Sequence, residues 1–214
     1  MVIFLVLLFV GFSLDLPETF PTTSNLRSMV SSQSVLLILA LAVTIPLRTG
    51  DFDLSIGAVT NFSAAIVAVL TVKHGFGVVP AMLIALAVGA LIGVINGACI
   101  VWIGVDAFVT TLGTMTAILG LTYLVTNSEV MGGLPTSLVN FSSKEIFGLP
   151  LAVYYGWALA VIMWWVYRYL PIGRQLLFIG GNRESARLAG LPVNRIRFLS
   201  FVASGLLSAF AGLT

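Results

Sequence analysis

Long apolar runs recur along almost the whole of this 214-residue chain and are separated by short polar stretches. A membrane-spanning helix needs about 20 mostly apolar residues, and several of the runs reach that length. Only 8% of the residues are charged and 59% are apolar, whereas roughly a quarter of the residues of a soluble domain are charged. Because a helix satisfies its own backbone hydrogen bonds, the runs predict an all-α fold, a polytopic bundle of transmembrane helices.

We expect about seven spans in a single transmembrane domain that occupies residues 1–214. The first run, residues 1–14, is short, and the chain ends within the seventh, so we expect a C-terminally truncated piece of a longer protein. A polar loop with Glu129, Lys144 and Glu145 joins the fifth run to the sixth. After the first, the runs are 26–47, 54–72, 80–103, 108–126, 151–169 and 198–214.

The basic residues predict the orientation in the membrane, because short cytoplasmic loops are enriched in Lys and Arg. The loop at about 170–197 is therefore expected in the cytoplasm. Counting back one span at a time places Arg48 and Asp106 inside, and Arg27, Lys73 and Lys144 outside. Six of the ten basic residues fall in or beside the arginine loop: Arg168, Arg174, Arg183, Arg187, Arg195 and Arg197.

Several function classes are disfavoured by what the sequence lacks. One histidine, His74, and one cysteine, Cys99, provide neither a zinc ligand set nor a disulfide, so we expect no metal site. A Gly-x-x-x-x-Gly-Lys-Ser/Thr phosphate loop is missing, so we expect no nucleotide or other cofactor on this chain. No nucleophile–base pair suggests catalytic residues. The net charge of +2 is too small and dispersed for a nucleic-acid surface.

A stripe of small residues marks the fourth run. The four-residue interval places them on one face of a helix, where they form a groove that lets a neighbouring helix approach closely. We favour helix packing over a direct substrate role. The stripe consists of Ala85, Gly89, Gly93 and Gly97, and a weaker version in the seventh run consists of Ser204, Ser208 and Gly212.

Two carboxylates, Asp51 and Asp53, lie between the second and third runs with a glycine on either side. Charged groups at membrane depth are costly and mark functional positions, so one interpretation is non-helical backbone that protein or water satisfies. The other is an ordinary turn in which Asp53 caps the third span through an amide two or three residues later. The two roles are compatible, and the sequence leaves both open.

Uncharged hydrogen-bonding side chains recur in spans three to five. They suit a path for a neutral, hydroxyl-rich solute, although threonines that bond back to their own helix explain most of them equally well. Together with Asp53, the candidate path residues are Asn61, Asn96, Thr110, Thr111 and Thr114, and Thr116 has the same character.

The arginine loop contains a predicted two-turn helix over residues 183–189. Asn182 is a good N-cap, Glu184 suits the positive helix start, and Gly190 and Pro192 end the segment. Such a helix lies in the headgroup layer or docks on another protein. Its glycine-rich start and its alanines favour docking.

Three separated segments together resemble one family, the ribose-type permeases of binding-protein-dependent ABC importers. Gly50-Asp-Phe-Asp-Leu-Ser-Ile-Gly57 is similar to that family's Gly-x-x-Asp-Leu-Ser-Val-Gly signature. Asn96-Gly97, followed by Val105-Asp-Ala-Phe-Val-Thr-Thr-Leu-Gly-Thr114, resembles a second family segment. Phe178-Ile-Gly-Gly-Asn-Arg-Glu-Ser-Ala-Arg-Leu-Ala-Gly190 resembles its cytoplasmic helix, with Ser185 and Ala189 in place of the commoner Ala and Ser.

The resemblance implies an importer in the cell membrane with about ten spans per subunit. Two permease subunits, expected to be identical, would face two cytoplasmic ATP-binding subunits and an extracytoplasmic sugar-binding protein. Spans two to five would line the path. ATP would be bound by the partner and not by this chain. The coupling helix that docks on the ATPase would include Gly180, Gly181, Asn182, Glu184, Ala186, Arg187 and Gly190.

The leading hypothesis is therefore the permease subunit of an importer for a monosaccharide such as ribose, with an autoinducer or a polyol also compatible. The alternative is a secondary transporter or channel for a small neutral solute that works without an ATPase. That class predicts midplane charges or coupling-ion ligands in broken helices. Apart from Asp51 and Asp53, the sequence offers none.

The charge count makes a direct topological prediction. The loop at 129–147 should be cleaved by a protease added from outside the cell, because it follows the fifth span at the end opposite the arginine loop. Immunoblotting of intact cells and of inverted vesicles measures this. Cleavage from the cytoplasmic side alone would reverse the whole topology.

Overall fold

The computed structural model of the chain describes residues 2–142 and 144–214, and these are almost entirely helical. The first half contains α1 (Val2–Asp15), α2 (Thr23–Leu47), α3 (Ile56–Val72), α4 (Val78–Ala98), a π-helix (Cys99–Ile103) and α5 (Ala107–Thr126). The second half contains α6 (Thr136–Ser142), β1 (Glu145–Ile146), β2 (Leu149–Pro150), α7 (Leu151–Tyr169), α8 (Pro171–Gly181), α9 (Arg183–Leu188) and α10 (Val193–Ala211).

The helices follow the predicted apolar runs closely. Within residues 2–142 and 144–214, three helices are long and apolar enough to cross a membrane: Thr23–Leu47, the combined Val78–Ile103, and Ala107–Thr126. The apolar helices Ile3–Asp15 and Ile56–Val72 are shorter. An all-α membrane fold is therefore confirmed, while the number of crossings stays a prediction.

Helix α10 lies at the centre of the bundle and packs against α4, α2 and α3. The largest apolar core lies between α3, α4, α5 and α10, and it includes Val59, Phe62, Ile92, Ile118 and Ala209. α10 therefore connects helices that are far from it in the sequence.

The small-residue stripe on α4 allows this close packing. A Cβ added to Gly93 would lie 2.8 Å from the Val202 Cα, and one added to Gly97 would lie 2.9 Å from the Phe198 ring. At Gly89 the obstacle would be the backbone oxygen of Gly205, at 2.8 Å. The stripe thus faces α10 of the same chain.

The weaker stripe on α10 faces α3. Gly212 lies directly against the backbone oxygen of Thr60, and the Thr60 hydroxyl donates to the backbone oxygen of Ser208 at 2.8 Å. Small residues on two faces therefore hold α10 between α3 and α4.

The stretch at 129–147, expected to be a polar loop, contains more structure than that. It holds α6 and the first strand of an antiparallel hairpin in which Glu145 pairs with Pro150. It also exposes large apolar side chains, with Val130 fully exposed and Phe147 95% exposed. The expectation of a polar loop with little apolar surface was wrong, because short apolar pairs such as Val130-Met131 and Ile146-Phe147 form no run of the length that a span pattern detects.

The arginine loop also contains one helix that the pattern did not predict. α8 starts at Pro171, a residue favoured in a first helical turn. It buries Leu176 and Ile179 against Val193 and Ile196 at the start of α10. The loop is therefore a small folded unit with its own apolar core.

Replacing Gly93 by Leu should destabilise the bundle by about 3 kcal/mol, because the side chain would collide with the α10 backbone. The same change at Gly120, which has open space around its Cα, should have little effect. SDS-induced unfolding in mixed micelles, followed by tryptophan fluorescence, measures both. Equal stability of the two variants would show that α4 and α10 are not in close contact.

Candidate functional site

The candidate site is built around residues 49–55, the non-helical link between α2 and α3. Pro46 lies in the last turn of α2, and Gly50 adopts a φ of 76°, a left-handed conformation that favours glycine. The chain then runs without helix until α3 begins at Ile56. Both carboxylates of the link are buried, Asp51 with 4% and Asp53 with 2% of its surface exposed.

Asp51 is held by two arginines from the arginine loop. The Nε and Nη2 of Arg197 donate to its two carboxylate oxygens, each at 2.8 Å. The Nη2 of Arg183 donates to Oδ1 at 2.9 Å, and the Thr49 hydroxyl donates to Oδ2 at 3.2 Å. Arg197 is itself only 8% exposed, so a two-pronged ion pair replaces the water that both charges lose.

Asp53 binds groups deeper in the bundle. Its Oδ1 accepts from the amide of Ser55 at 3.0 Å and from the Ser55 hydroxyl at 2.6 Å. Its Oδ2 accepts from the Ser204 hydroxyl of α10 at 2.8 Å. Ser55, and not Asp53, is the N-cap residue of α3, and its side chain makes no capping bond. Among the described residues, the one amide that bonds Asp53 is that of this cap residue, so the predicted N-cap role is not found, whereas the buried non-helical backbone is.

The hydrogen bonds continue from Ser55 into two further helices. Asn96 of α4 donates from Nδ2 to the Ser55 hydroxyl at 3.0 Å. Thr114 of α5 donates to the Asn96 Oδ1 at 2.6 Å. We call Asp53, Ser55, Asn96, Thr114 and Ser204 the polar network.

Thr111 fastens the link to α5 as well. Its hydroxyl accepts from the Leu54 amide at 3.1 Å and bonds back to the Ala107 carbonyl at 2.7 Å. Thr114 and Thr116 also bond back to their own helix, as the simpler interpretation of the threonines expects. The buried hydroxyl of Thr110 has no hydrogen-bond partner among the described residues.

Asn61 lies apart from the polar network. Its side chain is exposed and lines a cleft of about 590 Å³ between α3 and α5, together with Tyr123 and Glu129. The predicted path residues thus occupy two places, with Asp53, Asn96, Thr111 and Thr114 joined around the link. Arg197 and Ser204 were missed as site residues, because their partners Asp51 and Asp53 are 146 and 151 residues away. The bond from Asn96 to Ser55, 41 residues away, was missed for the same reason.

Of the predicted docking segment, residues 183–188 form α9, whereas Gly180 and Gly181 end the preceding helix α8, so the expected glycine-rich start of the docking helix was wrong. The Asn182 side chain accepts from the Ser185 amide at 2.9 Å, and Gly190 after the helix has a φ of 80°. Ala186 is fully buried in the apolar core of the arginine loop. The opposite face is exposed and carries Glu184 and Arg187, whose charged groups lie 3.7 Å apart.

The loops predicted inside meet at one end of the bundle. Asp51, Asp106, Arg183, Arg187 and Arg197 line a single polar cleft of about 580 Å³. Lys73 and Glu129, predicted outside, form an ion pair of 3.0 Å with each other. This grouping agrees with the loop pairing in the charge count, while the side that faces the cytoplasm stays a prediction.

Replacing Asp51 by Asn should cost about 3–5 kcal/mol of stability, because it leaves the buried Arg197 without its countercharge. Replacing Glu129 by Gln, which breaks an exposed ion pair, should cost under about 1 kcal/mol. SDS-induced unfolding of the two variants gives the comparison. A loss at position 51 no larger than that at position 129 would show that the Asp51 pair does not hold the fold.

Comparison with known proteins places the chain among permeases. Residues 25–214 match the family described as branched-chain amino acid transport system / permease component. The D-allose transport system permease protein of Escherichia coli (strain K12) is 29% identical over 196 residues, covering 92% of this chain and 60% of the relative. No solved structure matches the chain.

A second relative is the autoinducer 2 import system permease protein of Yersinia pseudotuberculosis (serotype O:3, strain YPIII). It is 32% identical over 183 residues, covering 86% of this chain and 52% of the relative. The chain therefore spans between half and two thirds of the length of these relatives. Because the family match extends over most of the chain, this multi-pass membrane protein belongs to the permease components of that family, and the predicted resemblance to monosaccharide-type permeases is confirmed.

Proposed function

We propose that this chain forms part of the membrane-spanning permease subunit of an ATP-driven, binding-protein-dependent importer of a monosaccharide or a similar neutral solute. The observation that carries the proposal is α9: its buried Ala186 and its exposed, charged outer face make it a docking element. The chain has no phosphate loop of its own. An exposed docking helix on a chain without a phosphate loop is consistent with ATP hydrolysis on a separate subunit.

The proposed assembly has three kinds of partner. Cytoplasmic ATP-binding subunits would dock on α9, whose exposed Leu188 adds apolar contact surface beside its charges. A second permease subunit, identical to the first, would complete the path. An extracytoplasmic sugar-binding protein would deliver the solute to the opposite end, where Lys73 pairs with Glu129.

In the proposed topology α1, α2, α3, α4 with its π-helix, α5, α7 and α10 cross the inner membrane. The end that gathers the arginines of the 170–197 loop would face the cytoplasm. Asp106, at the same end, accepts from the Phe108 and Val109 amides and caps α5 there.

The side chains around the polar network support a neutral substrate. Asp51 and Asp53 are fully engaged by hydrogen bonds within the protein. Of the remaining candidates, Asn96 and Thr114 bond each other, whereas the buried Thr110 hydroxyl has no hydrogen-bond partner among the described residues. These neutral amide and hydroxyl groups suit a hydroxyl-rich solute. The named relatives, an allose permease and an autoinducer 2 permease, support the same class, although the family description names branched-chain amino acids.

Uptake by reconstituted protein tests the proposal. The full-length subunit would be placed in proteoliposomes with its ATP-binding subunit, with the binding protein outside and radiolabelled D-allose or leucine as probe. We expect ATP-dependent uptake of the sugar and none of leucine. Sugar uptake without ATP would indicate a secondary transporter instead, and leucine uptake alone would overturn the proposed substrate class.

Two changes, one in α9 and one just after it, should uncouple ATP hydrolysis from uptake while leaving the protein in the membrane. Glu184→Lys reverses a charge on the exposed face, and Gly190→Val forces a β-branched residue into a left-handed conformation. Uptake per ATP hydrolysed measures the effect. Glu145→Lys, the same charge reversal in the hairpin, should not alter this ratio; normal coupling in both Glu184→Lys and Gly190→Val would overturn the docking role.

A further inference from the structure

The 49–55 link contacts α8 and α9 on one side and the polar network on the other. On the first side its backbone is in close contact with α8. A Cβ added to Gly180 would lie 3.3 Å from the Gly50 amide nitrogen, and one added to Gly50 would lie 3.5 Å from the Gly180 oxygen. The last turn of α8 thus rests directly on the link, with no side chain between them.

Arg183 reinforces this contact from the first position of α9. Its Nη2 donates to the backbone oxygens of Thr49 at 3.3 Å and Gly50 at 3.2 Å, and to the Asp51 carboxylate at 2.9 Å. The Arg183 side chain is 41% exposed, whereas that of Asp51 is 3% exposed. One half-exposed residue of α9 is therefore attached to three consecutive residues of the link.

Two residues further along the link, Asp53 binds the polar network. Backbone geometry limits the distance between the Cα atoms of Asp51 and Asp53 to about 7 Å. Asp53 reaches α10 through Ser204 and, through Ser55, Asn96 of α4. A shift that pulls Asp51 away beyond this distance would consequently move Asp53 or break one of these bonds.

We propose that the 49–55 link transmits movement of α9 to Asn96 and Thr114, and that Arg183 is the positioning residue that attaches α9 to the link. This inference rests on the proposed function, in which α9 receives the ATP-binding subunit. Contacts alone do not establish coupling. Coupling is established when docking of the ATP-binding subunit on α9 changes the conformation of the link. Loss of the Arg183 bonds should leave docking intact and stop that response.

The test places a reporter on the link in the full-length subunit. Phe52 is exposed there, so Phe52→Cys, in a background in which Cys99 and every other cysteine of the full-length subunit are replaced by Ala, gives one reactive thiol at the link. The rate of its reaction with a maleimide would be measured before and after addition of the purified ATP-binding subunit. Binding of that subunit would be measured separately by co-elution.

We expect docking to change the labelling rate by roughly 2- to 30-fold, the range in which residues of a coupling network act. Arg183→Gln should retain binding and lose the change, and Arg183→Lys, which keeps the charge, should restore part of it. Arg195→Gln is the matched control. It removes the same charge from an exposed position at the start of α10, and its response should equal that of the parent protein.

Each outcome decides a separate point. If the ATP-binding subunit binds and Arg183→Gln responds like Arg195→Gln, the link does not act through Arg183 and the inference is wrong, while the proposed function stands. If the subunit fails to bind the parent protein, the proposed function fails and the inference fails with it. If all variants bind the ATP-binding subunit and only Arg183→Gln loses the change in labelling rate, the result supports both the inference and the proposed function.

Discussion

A buried carboxylate shared by two arginines is the interaction on which the rest of the site depends. Asp51 loses nearly all of its hydration, and Arg197 and Arg183 replace it. These three residues come from the α2–α3 link, the start of α10 and the start of α9. Because a buried charge left without its partner is strongly destabilising, the three segments must lie together, and this contact determines the position of α9.

The position of α10 depends in turn on small residues. Glycines on α4 let α10 lie against its backbone, and this places two polar groups of α10 beside the link. Arg197 and Ser204 are seven residues apart, or about two helical turns, and therefore lie on one face. They bind Asp51 and Asp53, respectively. The bonds of Arg197 and Ser204 to the link therefore depend on the close packing of α10 against α4.

The sequence predicts those features of this fold that have a local pattern. Apolar runs predict the long helices, and the Asn182 and Gly190 signals predict α9. The pairing of Arg197 with Asp51, 146 residues away, has no such pattern. Charge counting interprets Arg197 only as a signal of orientation. Likewise α8 was not predicted. Its arginine and glycines interrupt the apolar pattern, although the helix buries an apolar face against α10.

The glycine groove on α4 has a consequence for the biogenesis of the protein. α4 ends at Ala98 and its partner α10 begins at Val193, so roughly a hundred residues separate their synthesis, a delay on the order of ten seconds at ribosomal speed. During that interval the groove has only lipid or the insertion machinery as a neighbour. The final packing of α4 must therefore wait until α10 has been synthesised.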